Sequence, residues 1–97
     1  MLGQKFDIIV RSWKDSSNYK MNVEVIHVSD QVLRFRIIAG SKEMIMQKIL
    51  SRKKSPWKIQ EMNFEFKGDT KDSAMNLMRI QDAIDFYFNK NVAGANG

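Results

Sequence analysis

Apolar and polar positions alternate along most of this chain and then change to a helical spacing. From Lys5 to Trp13, Phe6, Ile8 and Val10 share one parity, the mark of a strand with one buried face. Lys14-Asp15-Ser16-Ser17-Asn18 is a polar turn cluster. From Tyr19 to Ser29, Tyr19, Met21, Val23 and Val25 point one way, and Lys20, Asn22 and Glu24 the other. Tyr19 is expected in the core. Asp30-Gln31 makes a short turn, and Val32 to Ala39 is the most regular strand, with Leu33, Phe35 and Ile37 alternating against Arg34 and Arg36.

Gly40-Ser41 supplies the next hairpin turn, since glycine tolerates positive φ. Lys42 to Leu50 is apolar on both parities, so Met44, Met46 and Leu50 compete with Ile45 and Ile49 for the buried side. After the basic turn Arg52-Lys53-Lys54-Ser55-Pro56, the segment from Trp57 to Phe66 changes parity midway, from Trp57 and Ile59 to Met62, Phe64 and Phe66. A bulge near Gln60-Glu61, one extra residue in the ladder, restores a single inward face.

Lys67-Gly68-Asp69-Thr70 closes the strand region. Asp69 or Thr70 can cap a helix, because their side-chain oxygens accept from unpaired first-turn amides. The helix is expected to run to about Asn89, with Ala74, Leu77, Ile80, Ile84, Tyr87 and Phe88 on the arc that covers the concave face of the sheet. The pattern therefore predicts an α+β fold: an antiparallel five-stranded β-meander sheet with one C-terminal α-helix packed on one face. Residues 1–90 form one domain in this reading, and 91–97 a flexible tail. The order of strands followed by a helix resembles that of Pur-type and related single-strand-binding domains. The likeness is one of architecture, carried by no motif, and implies nothing about function.

Composition narrows the function classes. The chain has 97 residues, 43% hydrophobic and 28% charged, which fits a single globular core rather than a disordered segment. With no cysteine, it has no disulfide, thiolate ligand or thiol nucleophile. The apolar run Ile8-Ile9-Val10 is too short for a signal-peptide core and follows an acid. No stretch approaches the roughly 20 apolar residues of a membrane span, so a soluble, cytoplasmic protein with no membrane partner is expected.

Candidate chemistry is thin. His27 is the only histidine and shares the inward parity of its strand, so it reads as a partly buried, hydrogen-bonded structural residue. No nucleophile and orienting partner stand near it in sequence, and the acids are scattered; no catalytic residue, metal or cofactor is expected.

A net charge of +5 allows an anionic partner without demanding one. Arg34 and Arg36, flanked by Lys20 and Lys58 and extended by Arg52, Lys53 and Lys54, form the candidate track for sequence-independent binding of single-stranded nucleic acid. There, cations would meet phosphates and strand-end aromatics would stack on bases. Outward lysines and arginines equally keep a sheet soluble, and Asp7 and Glu24 share this face.

The same outward parity also carries Ile9, Ile26, Val28, Ile38, Ile45 and Ile49, while Met75 and Phe86 fall opposite the buried arc of the helix. A strand that is apolar on both faces is normally covered on both. Either the sheet curls so that these residues cover one another, or a partner protein or second copy covers them. Ile9, Ile26, Ile38, Met75 and Phe86 are thus the candidate interface, and a non-enzymatic binding or protein-interaction module is the leading expectation. A small-molecule carrier lined by Met44, Met46, Met62 and Met78 is a remoter one.

Overall fold

The computed structural model describes residues 1–12, 17–64 and 70–96, with helical side chains described to residue 89. Five strands, β1 (Lys5–Arg11), β2 (Asn18–Val28), β3 (Val32–Ala39), β4 (Lys42–Ile49) and β5 (Trp57–Met62), pair antiparallel in the order β1-β2-β3-β4-β5. One helix, α1 (Thr70–Asn96), follows. This is the expected α+β meander. Trp13, the turn over residues 14–16, Phe66 and the cap residue Asp69 lie outside the described residues.

The fold divides into two compact units, Met1–Asp7 with Met21–Glu65 and Ile8–Lys20 with Phe66–Gly97. In the first, one sheet face carries the core: Val23, Val25, Phe35 and Met46 are fully buried, with Met44 and Ile37 nearly so. The ambiguous strand β4 therefore faces inward through Met44 and Met46, whereas Ile45 and Ile49 are half-buried on the other side and Leu50 is exposed. In the second unit, α1 packs against the latter half of β1. Ile8, Val10, Ile80 and Ile84 are buried there. Arg79 Nη1 donates to the carbonyl of Arg11 at 2.8 Å, tying the helix to the end of the strand.

Two ladders are interrupted. In β5, Met46 pairs with Ile59 and Ile45 with Glu61, which leaves Gln60 as the extra residue of the bulge expected near Gln60-Glu61. Trp57 and Ile59 consequently share the inner face with Met62. The strand stops at Met62 because Asn63 takes over the pairing. The Glu43 amide donates to Asn63 Oδ1 at 2.8 Å, the Asn63 amide to the Glu43 carbonyl at 3.1 Å, and Asn63 Nδ2 to the Ser41 carbonyl at 3.3 Å.

The second interruption was not expected. Val25 pairs with Phe35 but His27 with Arg34, so Ile26 is an extra residue in β2. The phase shift moves His27 to the outer face, where it is exposed, and sets Val28 opposite Leu33 on the inner side. The buried-histidine expectation and the outward placement of Val28 are corrected together.

Turn chemistry follows the residues. Ser29 Oγ accepts from the Val32 amide at 3.0 Å and closes the β2–β3 turn. Gly40 has φ of 62°, the left-handed conformation the β3–β4 turn requires. The Leu50 amide donates to the Gln31 carbonyl at 2.8 Å, so the β2–β3 and β4–β5 turns are joined at one end of the sheet.

Three further expectations are corrected. Tyr19 is 42% exposed rather than in the core. On α1, Ala74 is exposed and Asn76 takes its place in the buried stripe with Ile80 and Ile84, at helical spacing. The helix backbone continues to Asn96 rather than ending near Asn89, since no proline stops it and one glycine alone is a weak breaker.

Candidate functional site

The outer face of β2–β5, opposite Phe35 and Met46, is built in cross-strand rows. One row reads His27–Arg34–Gln47–Lys58 and the next Glu24–Arg36–Ile45–Glu61; beyond them Asn22 pairs with Ile38 and Ile38 with Glu43. Val32 pairs with Ile49 at the turn end. Each row is fixed by the ladder register, and the register is fixed by the apolar inner face, since a one-residue slip would turn every core side chain outward.

The two outward arginines differ in their surroundings. Arg36 lies between two acids, with Nη1 3.3 Å from Glu24 Oε1 and Nε 3.1 Å from Glu43 Oε1. The Nε contact is ionic, without the alignment of a hydrogen bond. Arg34 donates from Nη2 to Gln47 Oε1 at 2.8 Å, while its Nε is buried and has no hydrogen-bond partner. On the neighbouring strand, Asn22 Nδ2 donates to Asp7 Oδ1 at 3.3 Å.

The face is therefore polarised along the strands. At the turn end stand Arg34 and Lys58, with Arg52, Lys53 and Lys54 exposed in the adjoining β4–β5 turn. Asp30 in the neighbouring β2–β3 turn is the acid at this end. At the opposite end stand Asp7, Glu24, Glu43 and Glu61, with Arg36 held among them. Ile38, which is 37% exposed, lies at this acidic end opposite Glu43, and the half-buried Ile45 lies between Arg36 and Glu61 in their row.

The expected cationic track is thus only partly assembled. Arg34, Lys58 and the basic turn share one end of the sheet; Arg36 sits within the acidic group, and Lys20 belongs to the other unit. The aromatic half of that expectation also shifts: Trp57 faces inward, with Lys48 Nζ 5.5 Å from its ring centroid.

The expected interface residues are likewise divided. Ile26 and Ile38 lie in the first unit, Ile26 half-buried as the bulge residue. In the second unit Ile9 is 69% and Phe86 67% exposed, whereas Met75 is half-buried and the exposed methionine of the helix is Met78. Of the four methionines proposed for a carrier, Met44 and Met46 are fully enclosed, Met62 pairs with Met44, and Met78 lies in the solvent-facing stripe of the helix.

Sequence reasoning missed Gln47, Glu43 and Glu61 as members of the face. Their signal was present as the outward parity of β4 and β5, but it could not be read before the two bulges fixed the rows. Among the described residues no helix is long and apolar enough to cross a membrane, and no group of three or more histidine, cysteine or acidic side chains could hold a metal ion. A scan against protein-family models, a search of curated proteins and a search of solved structures each found no match.

Proposed function

We propose that this chain is a non-enzymatic, cytoplasmic protein-interaction module whose docking surface is the outer face of β2–β5. One observation carries the reading: the central arginine of that face, Arg36, is already held by Glu24 and Glu43, while Ile38 beside it is open to solvent. A cation bound by two carboxylates of its own chain offers little to a phosphate. An exposed isoleucine framed by charged groups of both signs suits a polypeptide, because interfaces combine an apolar centre with a polar rim. A photo-reactive residue placed at position 38 tests this in cell extract. The expected product is a covalent adduct with a polypeptide that disappears when Ile45→Asp is added. No adduct, or an adduct with nucleic acid alone, overturns the reading.

A second reading is favoured by the β4–β5 turn. Arg52, Lys53 and Lys54 are consecutive and exposed, and Lys58 follows on the adjoining strand. Such a cluster would hold a single-stranded nucleic acid through its phosphates, with affinity that falls steeply with salt.

A further inference from the structure

A face that is basic at one end and acidic at the other is complementary to its own image turned end for end. We infer that the partner of this face is a second copy of the chain, packed face to face about a two-fold axis. This axis lies in the interface plane at right angles to the strands, between the Arg34–Lys58 row and the Arg36–Glu61 row. The inference rests on the protein-interaction reading and names the partner.

The geometry follows from the register. Successive outward residues of a strand stand about 6.8 Å apart, so an axis midway between the rows carries each onto the other. Lys58 then opposes the partner subunit's Glu61, and Glu61 the partner subunit's Lys58, because an isologous contact makes every pair twice. The rows align strand over strand, as aligned sheet packing requires. Facing sheets stand about 10 Å apart, a gap that an extended lysine and glutamate bridge between them.

Arg34 meets the Arg36 position of the partner subunit, a contact that isolated arginines would oppose. Arg36 is not isolated: with Glu24 and Glu43 it forms a cluster of net negative charge, so Arg34 approaches an attractive group. The alternative two-fold, with its axis along the strands, would set each row against its own reverse, placing Lys58 over the partner subunit's His27 and Glu61 over the partner subunit's Glu24, two like charges. Charge selects the first arrangement.

Size sets the strength. Four strands about 4.8 Å apart and rows about 6.8 Å apart give a face of roughly 500 Å², or about 1,000 Å² over both protomers. That is the range of weak, transient contacts rather than obligate dimers. Association is therefore to be read at high protein concentration.

The test is sedimentation equilibrium of the full chain up to about 1 mM, with Lys58→Glu, Glu61→Lys and the double variant Lys58→Glu/Glu61→Lys. Both side chains are exposed, so folding tolerates the changes. The wild type should form dimers. Each single reversal should weaken them by about tenfold or more, since it creates two repulsive contacts, and the double reversal should restore them to within about threefold of wild type. A wild type that stays monomeric overturns the inference, as do single reversals without effect or a double variant that is not rescued. If the monomer is accompanied by a polypeptide adduct at position 38, the interaction module stands and only the identity of its partner is wrong. A monomer that instead binds a single-stranded oligonucleotide overturns both.

Discussion

The indole of Trp57 lies with its centroid 5.6 Å from that of the Phe35 ring, the two planes tilted by 36°. The residues sit on β5 and β3, on either side of β4, and both face inward. This contact joins the outermost strand to the centre of the core, and it exists because Gln60 bulges out of the ladder and lets Trp57 and Met62 share a side.

Phe35 is the residue whose loss the core should feel most. It is fully buried and central to the most regular strand. Phe35→Ala should cost about 3–5 kcal/mol, and Phe35→Leu less than about 1.5 kcal/mol because most of the volume is kept. Denaturant melts at a fixed slope measure both.

The two residues flanking Ile59 should respond oppositely to deletion. Removing Gln60 leaves Ile59 opposite Met46 and Glu61 opposite Ile45, so no side chain changes face. Removing Lys58 puts Trp57 opposite Gln47, on the outer side. The Gln60 deletion should stay within about 1 kcal/mol of the parent, while the Lys58 deletion should cost several times more. Tryptophan fluorescence would redshift in the second chain alone; equal losses would mean that the bulge does not set the facing.

Gly40 is needed for its backbone and for nothing else. Its φ is 62°, and a Cβ added there would meet no atom within 4 Å. Gly40→Ala should therefore destabilise by about 1 kcal/mol through conformational strain alone. Gly40→Asn should cost less, because asparagine tolerates the left-handed region. A thermal melt that ranks alanine above asparagine would contradict this account.

Charge location makes a separate prediction for polyanion binding. Changing Arg52, Lys53 and Lys54 to Gln should abolish most retention on a phosphate-rich column, because these cations are exposed and consecutive. Arg36→Gln should alter it little, since Arg36 already pairs with Glu24 and Glu43. On single-stranded nucleic acid, each lost contact lowers the salt slope by roughly 0.7. Equal effects of both changes would show that the acidic pairing does not restrain Arg36.

The alternation of β3 and the helical spacing after Thr70 made the strand order and the fold class legible, because burying one face imposes a period on the residues themselves. The bulge at Gln60 was legible for the same reason: Trp57 and Met62 could not otherwise both be core residues. The bulge at Ile26 was not, because Ile26, His27 and Val28 satisfy either phase; only pairing with Leu33 and Arg34 decides between them. Asn76 was missed for a similar reason, since a buried amide is indistinguishable from a surface one until its surroundings are known. The site was legible as a set of outward cations with Glu24 among them, but not Glu43, because β4 is apolar on both parities and its facing was open until Met44 and Met46 were seen to be buried.

Gln60 has a consequence for how this protein avoids clumping. β5 ends the sheet, and a straight outermost strand would offer its free amides and carbonyls as a template on which further chains could add, the first step of a fibril. An out-of-phase residue in the middle of six breaks that template into pieces too short to recruit a neighbour, and Lys58 adds charge beside it. The chain without Gln60 should thus keep nearly all its stability and yet gel or form fibrils at concentrations where the parent stays clear.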